Sequence, residues 1–118
     1  MFEIEETGGA NIGLGRATWP FAKLLVNKNE LQLNASLIGN VYFRPSDIIS
    51  IEPSSFFSGT GIKINHRVSG YSQKIIFLTS GSGDLIKRIE DTGFLNNPDT
   101  IPAEVESRIL KYQAEASQ

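Results

Sequence analysis

Gly8 and Gly13 stand at the spacing of a phosphate-binding loop, and the chain's single histidine, His66, lies in a run of alternating apolar residues. A phosphate loop needs Lys and then Ser or Thr directly after the second glycine, to reach the terminal phosphates and hold magnesium. Leu14 and Gly15 occupy those places, so the spacing carries no nucleotide chemistry. Gly13-Leu14-Gly15 with Thr18 also fails as a dinucleotide fingerprint, because no helical pattern follows to offer its N-terminus to a pyrophosphate. These positions read as loop glycines. His66 shares a strand face with Ile62, Ile64 and Val68, which turns it towards a core as a hydrogen-bonded structural residue. A general base would need a positioned hydroxyl or an orienting carboxylate. A metal ligand would need a second His or a Cys, and the chain has neither. Asp47 after Ser46 reads as a turn former. The expectation is therefore no catalytic residue, no metal site and no cofactor.

Binding residues are easier to nominate. Lys23, Lys28 and Arg44 form a candidate anion-binding set on and beside the first hairpin, partly offset by Glu30, and Lys63 and Arg67 form a separate exposed row. Phe56 and Phe57 are adjacent in a Ser- and Gly-rich stretch. On an extended backbone they cannot both point inward, which leaves one for a partner unless the N-terminal segment or the last helix covers it. Val105, Ile109 and Tyr112 share a helical face and complete the candidate partner-binding set. Trp19 beside Pro20 reads as an anchor closing one end of the fold, with an exposed recognition aromatic as the alternative.

Short strands must position these residues. Residues 1–16 carry four glycines and no sustained periodicity, and read as an extended lead-in that could add an edge strand. Residues 21–26 are strand formers, 27–29 a turn, and Leu31, Leu33, Ala35 and Leu37 alternate with Gln32, Asn34 and Ser36 as a strand with one wet face does. Strands at 41–44 and 48–51 extend this into a four-stranded meander. Two more, at 62–68 and 74–79, start a second sheet, the latter apolar on both faces and so central. The period then changes to helical. Ser82 is a plausible N-cap, Leu85, Ile86 and Ile89 form the apolar stripe, Gly93 ends the helix in a left-handed conformation, and Phe94 folds back on the core. Thr100-Ile101-Pro102 looks like the start of a second, short helix, too short to persist without packing.

This order resembles the pleckstrin homology-like superfold, with a texture most like small bacterial PH-like and GRAM-like domains. The resemblance rests on Trp19-Pro20, the 21–37 hairpin, Asp47-Ile48-Ile49-Ser50-Ile51, the Gly61 to His66 and Lys74 to Phe77 stretches, and the helix ending in Gly93-Phe94. It implies a mainly β fold, a β-sandwich or partly open barrel of about seven antiparallel strands capped by a C-terminal α-helix. A core at about 17–95 would be preceded by the lead-in and followed by a helical tail at 98–118. Phosphoinositide-binding members place several cations on the first hairpin, whereas here it holds Lys23 and Lys28, with Arg44 arriving from the next strand.

Eleven Lys and Arg against thirteen Asp and Glu argue against general affinity for nucleic acid or an anionic leaflet, leaving room for a local basic patch. The lack of cysteine suits a reducing cytoplasm, and no stretch is apolar enough to span a bilayer. The chain reads as a single cytoplasmic, non-enzymatic interaction or scaffolding module. Its expected partner is another protein or a second copy of itself, with no nucleic acid and at most peripheral membrane contact. The alternative is a weak anionic-lipid or small-anion binder, and a third reading is an enzyme with an unrecognised site.

Overall fold

A computed structural model describes residues 1–56 and 59–95, and of Phe56 only the backbone. Seven antiparallel strands form one curled sheet followed by a helix: β1 (Ile4–Ile12), β2 (Gly15–Val26), β3 (Leu31–Ala35), β4 (Gly39–Phe43), β5 (Ile48–Phe56), β6 (Gly59–His66), β7 (Ile75–Leu78) and α1 (Ser82–Thr92). The order across the sheet is β4-β3-β2-β1-β7-β6-β5. A mainly β fold ending in a helix is thus what the alternating pattern implied, and seven antiparallel strands is the number that the resemblance implied. The second helix falls outside the described residues.

Three placements depart from the sequence reading. The glycine-rich N-terminus is the strand β1, and it sits in the middle of the sheet between β2 and β7. Its glycines serve close approach: a methyl at Gly8 would stand 2.3 Å from the Leu78 carbonyl oxygen and 2.7 Å from the Phe77 ring. Secondly, residues 48–51 do not extend the first meander. A 3-10 turn at Pro45–Asp47 redirects the chain, and β5 pairs with β6 at the far edge, so a single continuous sheet replaces two. Thirdly, Gly81 is the N-cap and Ser82 the first helical residue, since Leu85 N–H donates to the Gly81 carbonyl.

Alternation holds where the strands pair. Leu24 and Val26 of β2, Leu31, Leu33 and Ala35 of β3, Val41 and Phe43 of β4, and Ile62, Ile64 and His66 of β6 all turn inward and are buried. β7 is central and buried, as its apolar run implied. Asn27 builds the β2–β3 turn with its side chain, its Oδ1 accepting from Asn29 N–H at 2.7 Å and Glu30 N–H at 2.9 Å. Gly93 ends α1 at φ 87°, and Phe94 turns into the core with Leu85 and Ile89.

His66 organises the connection from β6 to β7. It is 2% exposed, its Nδ1 accepts from Val68 N–H at 3.0 Å, and its Nε2 therefore carries the proton donated to the Ser72 carbonyl at 2.7 Å. Its ring packs against Phe43 and Tyr71.

Candidate functional site

The candidate site follows from a mismatch between β1 and β2. Ala10 pairs with Ala17 and Gly8 with Ala22, so four residues of β2, 18–21, face the single residue Gly9. The surplus must bulge out of the sheet, and a bulge re-aims side chains. Trp19 and Phe21 are consequently 70% and 58% exposed, and Trp19 is not the buried anchor that its position beside Pro20 suggested.

Two turns meet this bulge. Phe21 accepts a hydrogen bond from Ser36 N–H at 2.9 Å, and Phe21 and Leu37 line one open groove with Lys23, Asn34 and Asn40. A Cβ on Gly15 would lie 3.1 Å from Ile38, which puts the β1–β2 turn beside the β3–β4 turn. On its other flank Gly13 N–H donates to the Lys74 carbonyl at 2.8 Å. Each turn carries a leucine that no described residue covers. Leu14 is 108% exposed and Leu37 106%. Leu37 does not continue the strand as its alternation implied: β3 ends at Ala35, and Leu37 takes a φ of 70°, a conformation unfavourable for a residue with a Cβ.

The segments that build these turns carry charge of one sign. Residues 12–23, 34–40 and 72–74 contain Arg16, Lys23 and Lys74 and no Asp or Glu. Along β1 the next acid on the outward face, Glu5, pairs with Leu25, two residues farther from the turns than Lys23. Carboxylates gather at the opposite end, where Glu3 and the first residue of β1, Ile4, meet Arg88, Asp91 and Thr92 of α1. There Arg88 donates to Glu6 at 3.2 Å.

The nominated anion-binding set does not converge. Lys23 projects from the outer face in the groove beside Phe21. Lys28 lies in the β2–β3 turn against Gly93, whose Cβ would be 3.7 Å from Lys28 Cγ. Arg44 follows Phe43, which pairs with Leu31, and is separated from Lys23 by roughly 10 Å of strand. Of the nominated partner-binding residues, Phe56 ends β5 and its side chain lies outside the described residues, as do Phe57, Val105, Ile109 and Tyr112.

The sheet edges are poor templates for strand addition. On β4, Tyr42 N–H donates to the Tyr71 hydroxyl at 3.2 Å and Arg44 N–H to Asp47 Oδ2 at 2.8 Å. On β5, Pro53 lacks a donor and the register breaks between Ile48 and Ser50. Both devices blunt an edge. A surface partner is therefore better served by the faces and turns than by an exposed ladder.

One of the two exposed leucines had a signal in the sequence. Leu14 stands between Gly13 and Gly15, and a large apolar residue at the tip of a glycine turn has no core within reach. Leu37 had none, because Leu31, Leu33 and Ala35 set a rhythm that it continues. Among the described residues no cluster of His, Asp or Glu could hold a metal ion, and no helix is long and apolar enough to cross a membrane. Comparison with protein-family models, with curated proteins and with solved structures finds no match.

Proposed function

We propose that this chain is a PH-like, non-enzymatic interaction module of the cytoplasm that docks on an anionic membrane surface through the end of the sheet formed by its β1–β2 and β3–β4 turns. One observation carries this reading: two fully exposed leucine tips, with the exposed Phe21 beside Leu37, accompany Arg16, Lys23 and Lys74 with no carboxylate in the segments that build them. Seven antiparallel strands followed by a helix support the PH-like label, and the cysteine-free composition supports a reducing compartment.

Magnitudes decide how such a surface works. Burying a leucine completely is worth ~1.5 to 3 kcal/mol, and each cation near an anionic leaflet ~1 kcal/mol. Two leucines and three cations thus contribute comparable amounts, and neither set holds the chain alone. Contact of this size is reversible, like that of a single acyl chain. Trp19 is suited to the interface because its ring is apolar and its indole N–H wants a polar neighbour.

The test is co-sedimentation of the full chain with anionic and with uncharged vesicles. The expected result is binding to the anionic ones only, reduced about tenfold or more, ~1.4 kcal/mol, by Leu14→Ser with Leu37→Ser, and similarly by Arg16→Gln with Lys23→Gln and Lys74→Gln. Binding unaffected by either set of changes would remove the reading. A protein partner is the second reading, favoured by the groove between Phe21, Leu37, Asn34 and Asn40, which continues onto the outer face where Tyr42 is exposed. It predicts no vesicle binding at all, and capture of a partner that depends on Phe21 and Tyr42 rather than on Leu14.

A further inference from the structure

The turn end has the ingredients for insertion between lipids but not those for gripping one headgroup. A headgroup pocket brings several cations onto one phosphate, in fixed geometry. Here Arg16 and Lys23 stand seven residues apart on β2 with the 18–21 bulge between them, and Lys74 lies on the far side of Gly13. The β1 partners of Arg16 and Lys23, Asn11 and Thr7, are four residues apart, roughly 13 Å along the sheet and several times the width of one phosphate.

The apolar groups are arranged quite differently. Leu14 is flanked by Gly13 and Gly15, and Leu37 is followed within two residues by Gly39, so each tip is one bulky side chain on a slender turn. Such tips fit small openings between lipids. They do not form the continuous apolar face of an amphipathic helix. Phe21 shares a groove with Leu37, and Trp19 lies beside Arg16, Leu78 and Thr79.

We infer that this end selects loosely packed, strongly curved anionic bilayers rather than a particular lipid headgroup, with Leu14 and Leu37 entering gaps between lipids and Arg16, Lys23 and Lys74 supplying attraction without stereospecificity. The inference rests on the membrane reading above, and charge complementarity is what commits the surface to a bilayer. Curvature opens such gaps, so affinity rises as vesicle radius falls at constant composition.

The experiment uses the full chain and phosphatidylcholine vesicles with about 30% phosphatidylserine, prepared at diameters of about 30 nm and about 200 nm. Trp19, the chain's single tryptophan, is the probe. The expected result is a blue shift of its emission on binding and roughly tenfold tighter binding to the small vesicles, a preference lost in Leu14→Ser with Leu37→Ser. Exchanging phosphatidylserine for a phosphoinositide at equal surface charge should change affinity by less than about threefold. Equal affinity for the two sizes overturns the inference while leaving the membrane reading intact, and so does tenfold selection of one phosphoinositide. Absence of binding to either size defeats the membrane reading itself. A blue shift that grows with protein concentration in the absence of lipid assigns the surface to a second copy of the chain, and overturns the inference as well.

Discussion

The two ends of the sheet treat apolar side chains in opposite ways. At the end where β1 begins, α1 closes the fold: Leu85, Ile89 and Phe94 are buried, the stem of Lys28 lies against Gly93, and Arg88 reaches Glu6. At the end where β1 finishes, Leu14 and Leu37 are exposed to their full extent and Trp19 and Phe21 by more than half. The same water surrounds both ends, so the difference lies in what each turn can reach. A helix eleven residues long brings its own apolar stripe to the closed end, whereas among the described residues no further element covers the turns of the open end. Apolar surface left uncovered among the described residues is the observation on which the proposed docking role rests.

The comparison breaks first at the closed end. Phe94 is fully buried, and Phe94→Ala should destabilise the protein by ~3 to 5 kcal/mol in urea unfolding, through lost transfer energy and the cavity left behind. A loss below about 1 kcal/mol would mean that α1 and the residue after it do not close that end. Vesicle affinity of the folded fraction should stay as it was, since Phe94 has no part in the open end.

His66 tests whether the β6–β7 connection is held from inside. His66→Gln should cost ~1 to 3 kcal/mol, because glutamine cannot both accept from Val68 N–H and donate to the Ser72 carbonyl from one rigid ring. An unchanged melting temperature would show that these two bonds do not hold the loop. The smallest effect is the most discriminating one. Leu37 carries a left-handed φ, and asparagine tolerates that conformation better, so Leu37→Asn should stabilise the fold by ~0.5 to 1 kcal/mol while weakening vesicle binding. Opposite signs in the two measurements would sharpen the contrast between ends. A loss of stability in Leu37→Asn would instead make Leu37 an ordinary structural residue.

Much of the strand pattern was legible, and the reason is local. Leu31, Leu33 and Ala35 against Gln32 and Asn34 report a half-buried strand because successive side chains alternate faces whatever lies beyond them. His66 was legible as a core residue for the same reason, through its spacing from Ile62 and Ile64. β1 was not. Its glycines leave almost no apolar periodicity, and what they do provide, room for the Phe77 ring and for the backbones of Leu78 and Ala17, exists only once the strands are assembled. The site was less legible still. Lys23 was the one nominated cation that belongs to it, and Arg16 and Lys74 come from segments distant in sequence that meet only through the Gly13 turn.

By itself, then, the amino-acid sequence determined the mainly β character, the places of six strands and the helix, the capping role of Gly93 and the inward turn of Phe94, because all of these follow from side-chain period and from the conformations that glycine allows. Tertiary structure alone decided that β1 is central, that β5 crosses to the far edge and that Trp19 faces outward. Each depends on register between strands remote in the chain: four residues of β2 opposing one of β1 push Trp19 and Phe21 out of the sheet, and no local pattern records what a strand will be paired against.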